Sequence, residues 1–163
     1  MAAAVVKGGL TFFSGIRFKE AVIASASATV TLKPGDTGKT FLFDRASGVQ
    51  YTLPTPKVGL WYEFFTSVLQ TSGANTVVTN AGTVFVTGSV VMFSGEAVTP
   101  SATLGPFMFA GNGTTHVKYT SNGTTTGGGV GTTFQVTCIS TTLWYVSGIV
   151  KSPSGNLATP FST

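Results

Sequence analysis

Few side chains in this sequence can carry acid–base, nucleophilic or metal chemistry. Its 163 residues include one His, one Cys and five Asp or Glu, the types on which general acid–base catalysis and metal binding draw. The composition therefore argues against an enzyme. His116 lies in an alternating segment with Val117 and Tyr119, which directs it with Lys118 toward solvent, and it has no second His to pair with. Asp36 falls in the turn Pro34-Gly35-Asp36-Thr37-Gly38, where a carboxylate caps local backbone, and Asp44 ends a short aromatic run. Two isolated carboxylates fall short of the roughly six to eight oxygens that calcium takes. Cys138 alternates with Phe134 and Val136 and reads as a buried small hydrophobe with no internal disulfide partner. No catalytic residue, metal or cofactor is expected.

Two clusters could bind rather than react. Trp61, Glu63 and Phe65 share one parity of an aromatic run and could stack a sugar while the carboxylate accepts its hydroxyls. Core or inter-subunit packing is the favoured reading for them, and both Trp61 and Trp144 are expected to be covered because they lie within strands rather than at loop tips. Arg17, Lys19, Lys33, Lys39, Arg45 and Lys57 could form a basic patch, but Lys and Arg are too sparse and too little interleaved with aromatics for a nucleic-acid binder. The glycines at 127, 128, 129 and 131 precede no Lys and open no helix, so they read as a mobile loop rather than a phosphate cradle. Asn112-Gly113-Thr114 and Asn122-Gly123-Thr124 match glycosylation acceptors, yet Asn-Gly is also the favoured type I′ hairpin signal.

The elements that position these residues are strands. Thr (28) and Ser (15) replace the usual Lys and Glu, hydrophobic residues make up 42% of the chain, and only 9% is charged, which is a β composition with enough apolar mass for one domain. No apolar run approaches the roughly 20 residues needed to cross a bilayer, and the apolar start at 1–6 lacks the basic flank of a secretory signal. All of the net charge of +4 lies in residues 1–57. Alternation places strands at 16–22, 29–32, 41–43, 49–53, 61–69, 76–79, 83–87, 89–93, 107–110, 114–120, 132–139 and 143–150. The runs 41–43 and 49–53 are expected to pair as a hairpin, and those between 76 and 93 to form a meander. The expected fold is all-β, a barrel or sandwich of about ten short strands, jelly-roll-like or meandering. It divides into an N-terminal arm with the first strand (1–28), the β domain (29–150) and a C-terminal tail (151–163).

With the strands in place, several phrases form a pattern: Gly38-Lys39-Thr40-Phe41-Leu42-Phe43, Ser47-Gly48-Val49-Gln50-Tyr51-Thr52-Leu53-Pro54, Gly59-Leu60-Trp61-Tyr62-Glu63-Phe64, Gly111-Asn112-Gly113-Thr114-Thr115-His116 and Trp144-Tyr145-Val146-Ser147-Gly148. Over residues 30–150 the chain resembles small all-β bacteriophage virion proteins of the capsid-decoration, or cement, type. The resemblance implies a multi-copy subunit, commonly a homotrimer, on the capsid exterior, made in the host cytoplasm, with the major capsid protein as partner and no nucleic acid or membrane. It carries over no catalytic residues. The expected partner contacts are Arg17, Lys19 and Lys39 from the basic third, docking on an acidic surface, together with Leu10, Phe12 and Phe13 after the Gly8-Gly9 hinge. The alternative is a receptor- or glycan-binding domain of a phage fibre or spike, and after it a β-rich adhesin or pilus-like subunit.

Overall fold

The computed structural model describes residues 22–94, 106–154 and 156–163. The chain forms an all-β sandwich whose two mixed sheets do not close into a barrel. Twelve strands are present among the described residues: β1 (Val22–Ile23), β2 (Thr29–Thr31), β3 (Thr40–Phe43), β4 (Gln50–Thr52), β5 (Trp61–Thr66), β6 (Asn75–Val78), β7 (Phe85–Ser94), β8 (Phe107–Asn112), β9 (Lys118–Ser121), β10 (Thr133–Cys138), β11 (Leu143–Ser152) and β12 (Phe161–Ser162). The larger sheet has the order β1-β3-β5-β10-β11-β7-β8, the smaller β12-β9-β6-β4-β2.

The first half of the chain winds rather than folds back. β1, β3 and β5 are parallel neighbours in the larger sheet, while β2, β4 and β6 are parallel neighbours in the smaller one. Successive strands therefore lie in opposite layers. This corrects the expected 41–53 hairpin: β3 and β4 face each other across the core, with the Tyr51 hydroxyl donating to the Leu42 carbonyl at 2.6 Å and the Tyr51 ring 5.5 Å from Phe41 and 5.4 Å from Phe43. The chain does turn tightly at 45–48, the Gly48 N–H donating to the Arg45 carbonyl at 3.0 Å, but the strands it joins enter different sheets, and Gly48 and Gly73 of successive turns meet backbone to backbone. A Cβ on Gly48 would sit 2.2 Å from the Ala74 oxygen, and one on Gly73 would sit 2.1 Å from that of Ser47. Both glycines have positive φ, 86° and 64°, so only glycine satisfies both demands.

The meander between 76 and 93 is also corrected. β6 lies in the smaller sheet, and β7 runs unbroken through Gly88, pairing in parallel with all ten residues of β11. The second half supplies the antiparallel part, with hairpin β10–β11 inserted between β5 and β7 and β8 alongside β7. Neither Asn-Gly site is a hairpin turn, since β8 and β9, like β9 and β10, lie in different sheets. Instead each Asn side chain folds over the next backbone segment: Asn112 Oδ1 accepts from the N–H groups of Thr114, Thr115 and His116, and Asn122 Oδ1 from those of Thr124, Thr125 and Thr126, all at 2.9–3.1 Å. The segment set apart as a tail contributes β12, whose Phe161 is buried against Tyr119.

The glycine-rich loop is packed rather than free. Gly127, Gly128 and Gly129 are buried, because this stretch lies against Val150, Tyr119 and the buried Gln70 with no room for a Cβ. Gln70 donates from Nε2 to the carbonyls of Gly73 and Ser121, accepts from the Ser121 hydroxyl, and its backbone N–H donates to Gly128. Gln70 thus ties the loop to β9 of the smaller sheet and to the turn at Gly73.

Aromatic rings fill the space between the layers. Phe64 stacks on Phe134 at 5.3 Å and Phe43 on Phe64 at 5.8 Å, Tyr119 reaches across to Phe134 at 4.3 Å, and Trp144 packs on Tyr62 at 6.0 Å. Cys138 is buried in the same core, as expected. Burial raises the phenol pKa of Tyr51, Tyr62 and Tyr119, with the nearby Asp44 charge adding to the shift at Tyr51 and that of Asp36 at Tyr62.

Two outcomes follow for stability. Gly48→Ala and Gly73→Ala should each lower the unfolding free energy by about 2–4 kcal/mol, combining positive-φ strain with overpacking. Gly35→Ala, where the added methyl meets open space, should stay within about 0.5 kcal/mol; urea unfolding midpoints check both. For pH, Tyr62 rises from 10.0 to about 12 in the folded chain. A raised phenol pKa stabilises the fold fully below the unfolded value and loses that contribution as pH climbs through the folded one. Urea midpoints should accordingly hold steady up to pH 10 and fall steeply between pH 10 and pH 12, in step with the rise of phenolate absorbance.

Candidate functional site

The outward side chains of the larger sheet form rows that cross its strands, and the register fixes their composition. One row is Leu42, Phe65, Thr133, Ile149, Val91 and Met108, running from β3 to β8. Five of its six members are apolar, with Met108 71% and Ile149 52% exposed. The next row is polar: Thr40, Glu63, Gln135, Ser147, Ser89 and Ala110. Beyond it lies Trp61, Thr137, Tyr145, Thr87 and Asn112. On the other side of the apolar row stand Lys151 and Phe93. Solvated faces of antiparallel sheets are ordinarily polar, and a contiguous apolar band on an outer face marks a contact surface.

Within this face the Trp61–Glu63–Phe65 trio is assembled as a single column on β5. Trp61 is 39% exposed, its ring over Gly38, its N–H donating to the Thr37 hydroxyl at 3.0 Å and its carbonyl accepting the Gly38 N–H at 2.9 Å. Glu63 accepts a 2.7 Å hydrogen bond from the Thr40 hydroxyl. Of the two positions expected in the core or between subunits, Trp144 is fully enclosed in the core, whereas Trp61 lies outside it on the outer face. The cause is parity: Trp61 of β5 is opposite Thr137 of β10 and Trp144 of β11 is opposite Cys138, one residue further along, so the two side chains point to opposite faces of the sheet.

Of the expected partner-contact residues, Leu10, Phe12, Phe13, Arg17 and Lys19 lie outside the described residues. Lys39 is half-buried at the start of β3 and pairs with Asp36 at 2.8 Å. Burial raises the Asp36 pKa, but the Lys39 ammonium and the Lys33 N–H bound to the carboxylate outweigh it and hold the group below its ordinary value. Asp36 is thus turn chemistry, as expected, and Lys39 is engaged with it. Asp44 receives the Ser25 N–H at 3.0 Å. His116 does not point freely to solvent: it is half-buried, stacks on Phe161 at 6.2 Å, and its Nδ1 accepts the Asn112 N–H. Among the described residues no three His, Cys, Asp or Glu side chains gather as metal ligands, and no helix is long and apolar enough to cross a membrane.

Sequence reasoning missed Leu42, Val91, Met108 and Ile149 as members of a surface. A signal for them existed. Phe64-Phe65, Val90-Val91-Met92-Phe93 and Ile149-Val150 are apolar at both parities, the pattern of strands covered on both faces, whereas one layer of a sandwich has only one face inward. No protein-family model, no curated protein and no solved structure matches this chain.

Proposed function

We propose that this chain is a non-catalytic assembly subunit that works by surface contact, and, on its resemblance to capsid-decoration proteins, that it decorates and stabilises a bacteriophage capsid in many copies on the exterior. The observation that supports the assembly role is the outer face of the larger sheet, where an apolar row crosses six strands and only Glu63 and Lys151 are charged among the described strand positions. Such a face gains by being covered, as in interfaces whose core is depleted of charge. The basic first third supplies the complementary feature, an orienting attraction to an acidic capsid protein. Mass spectrometry of purified virions or empty capsids should find the chain at hundreds of copies per particle, stripped progressively by raised salt. A handful of copies per particle would assign it to a fibre or spike instead.

One observation favours that second reading, a glycan- or receptor-binding domain. Trp61 presents an accessible ring one position pair away from a carboxylate already oriented by Thr40, the pairing of stacking surface and acceptor that sugar recognition uses. Acrylamide should quench Trp61 but not Trp144 in the isolated chain diluted to the monomer. On the assembly reading, quenching of Trp61 falls when the protein is bound to capsids and is indifferent to oligosaccharides; protection by one oligosaccharide in the isolated chain favours the glycan reading.

A further inference from the structure

The two charges on the outer face of the larger sheet are placed symmetrically. Thr133 of β10 is opposite Phe65 of β5 and Ile149 of β11. Glu63 lies two residues before Phe65, and Lys151 two residues after Ile149, on strands that run in the same direction because both are antiparallel to β10. The two therefore stand at equal and opposite offsets from Thr133. Lys151 is exposed and forms no ion pair with Glu63 across the face, and the ion pair found among the described residues is Lys39–Asp36.

We propose that this face packs against the same face of a second copy about a two-fold axis through Thr133, each Glu63 meeting the partner's Lys151. The inference rests on reading the face as an assembly surface, and it replaces the three-fold closure implied by the resemblance with a two-fold one.

The register lattice supplies an independent check. With strands about 4.8 Å apart and about 3.4 Å per residue, the axis that exchanges the two charges makes the strands of the two copies cross at about 70°, near the orthogonal class of sheet packing. The same rotation lays the Met108 position of one copy over the Tyr145 position of the other, and brings Trp61 over Phe93 to within about 3 Å in the plane of the sheet. Both contacts follow from an axis that the two charges alone define. Met108, Tyr145, Trp61, Phe93 and Ile149, together with Val22 on the edge strand β1, are the exposed large side chains of this face, and Ile149 stands beside the axis. Sulfur–aromatic and aromatic–aromatic contacts result. The face spans roughly 24 Å across the strands and 20 Å along them, which with the width of the outer side chains approaches the ~800 Å² per partner of a stable interface. An isologous contact of this kind closes on itself.

The test uses the purified full-length chain, without capsids, so that failure here is distinct from failure of the decoration role. Sedimentation or light scattering at micromolar concentration should give a dimer. Glu63→Lys and Lys151→Glu each place like charges opposite one another twice per dimer and should weaken dimerisation at least tenfold. The double variant E63K/K151E restores opposite charges and should return dimerisation to within threefold of the original. Circular dichroism confirms that each variant is folded. A wild-type monomer or trimer, single variants that dimerise as before, or a folded double variant that stays as weak as the singles would each overturn the two-fold axis.

Discussion

The insertion of Tyr51 between Phe41 and Phe43, with its hydroxyl on the Leu42 carbonyl, is the contact from which the rest of the architecture follows. It joins two strands that are close in sequence but belong to different layers, and so decides that the chain crosses the sandwich instead of folding back. Every later turn of the winding stacks on that choice: Phe64 packs on Phe43, and Phe134 on Phe64. A buried phenol satisfied by a main-chain carbonyl costs little and specifies position closely, because removing the acceptor would leave the hydroxyl desolvated and unpaired. The aromatic excess in the composition is spent largely between the layers, and what is left over lies on the outer face.

The strand content was legible in the sequence because period-two alternation and Gly-Asn-Ser punctuation are local signals. Cys138, Trp144, Val49, Tyr51 and Leu53 are buried as their parity requires. Pairing was not legible. A run such as 41–43 followed by Ser47-Gly48 and 49–53 suits a hairpin and a layer crossing equally well, and the crossing is selected by contacts that local pattern does not carry, Tyr51 on Leu42 and the distant Gly73 backbone pressed against Ser47. The Asn-Gly pairs misled for a related reason: the Asn side chain accepts three backbone N–H groups in sequence, a use of the residue that a turn dictionary reads as a hairpin. The glycine cluster misled because glycine marks both freedom and close packing, and here Gln70 and Val150 make it the second.

The candidate surface was half legible. Trp61, Glu63 and Phe65 were visible as a column along one strand, but the apolar row perpendicular to it draws one residue from each of six strands and exists only once their register is known. The proposed assembly role rests on that row. A sandwich needs one apolar face per sheet, and the larger sheet carries an apolar row on its other face as well. Thr and Ser around it leave few charges to desolvate on contact.

The placement of hairpin β10–β11 between β5 and β7 also governs the order in which the molecule can be made. During synthesis the winding emerges first, and β5 and β7 both leave the ribosome before the strands that separate them exist. Their inner edges carry unpaired backbone groups until β10 and β11 are made, the very edges that recruit foreign strands. Closure comes only with the last translated quarter, through pairings of high sequence separation that are intrinsically slow. The nascent chain thus keeps a gap in the middle of its larger sheet until the hairpin arrives to fill it.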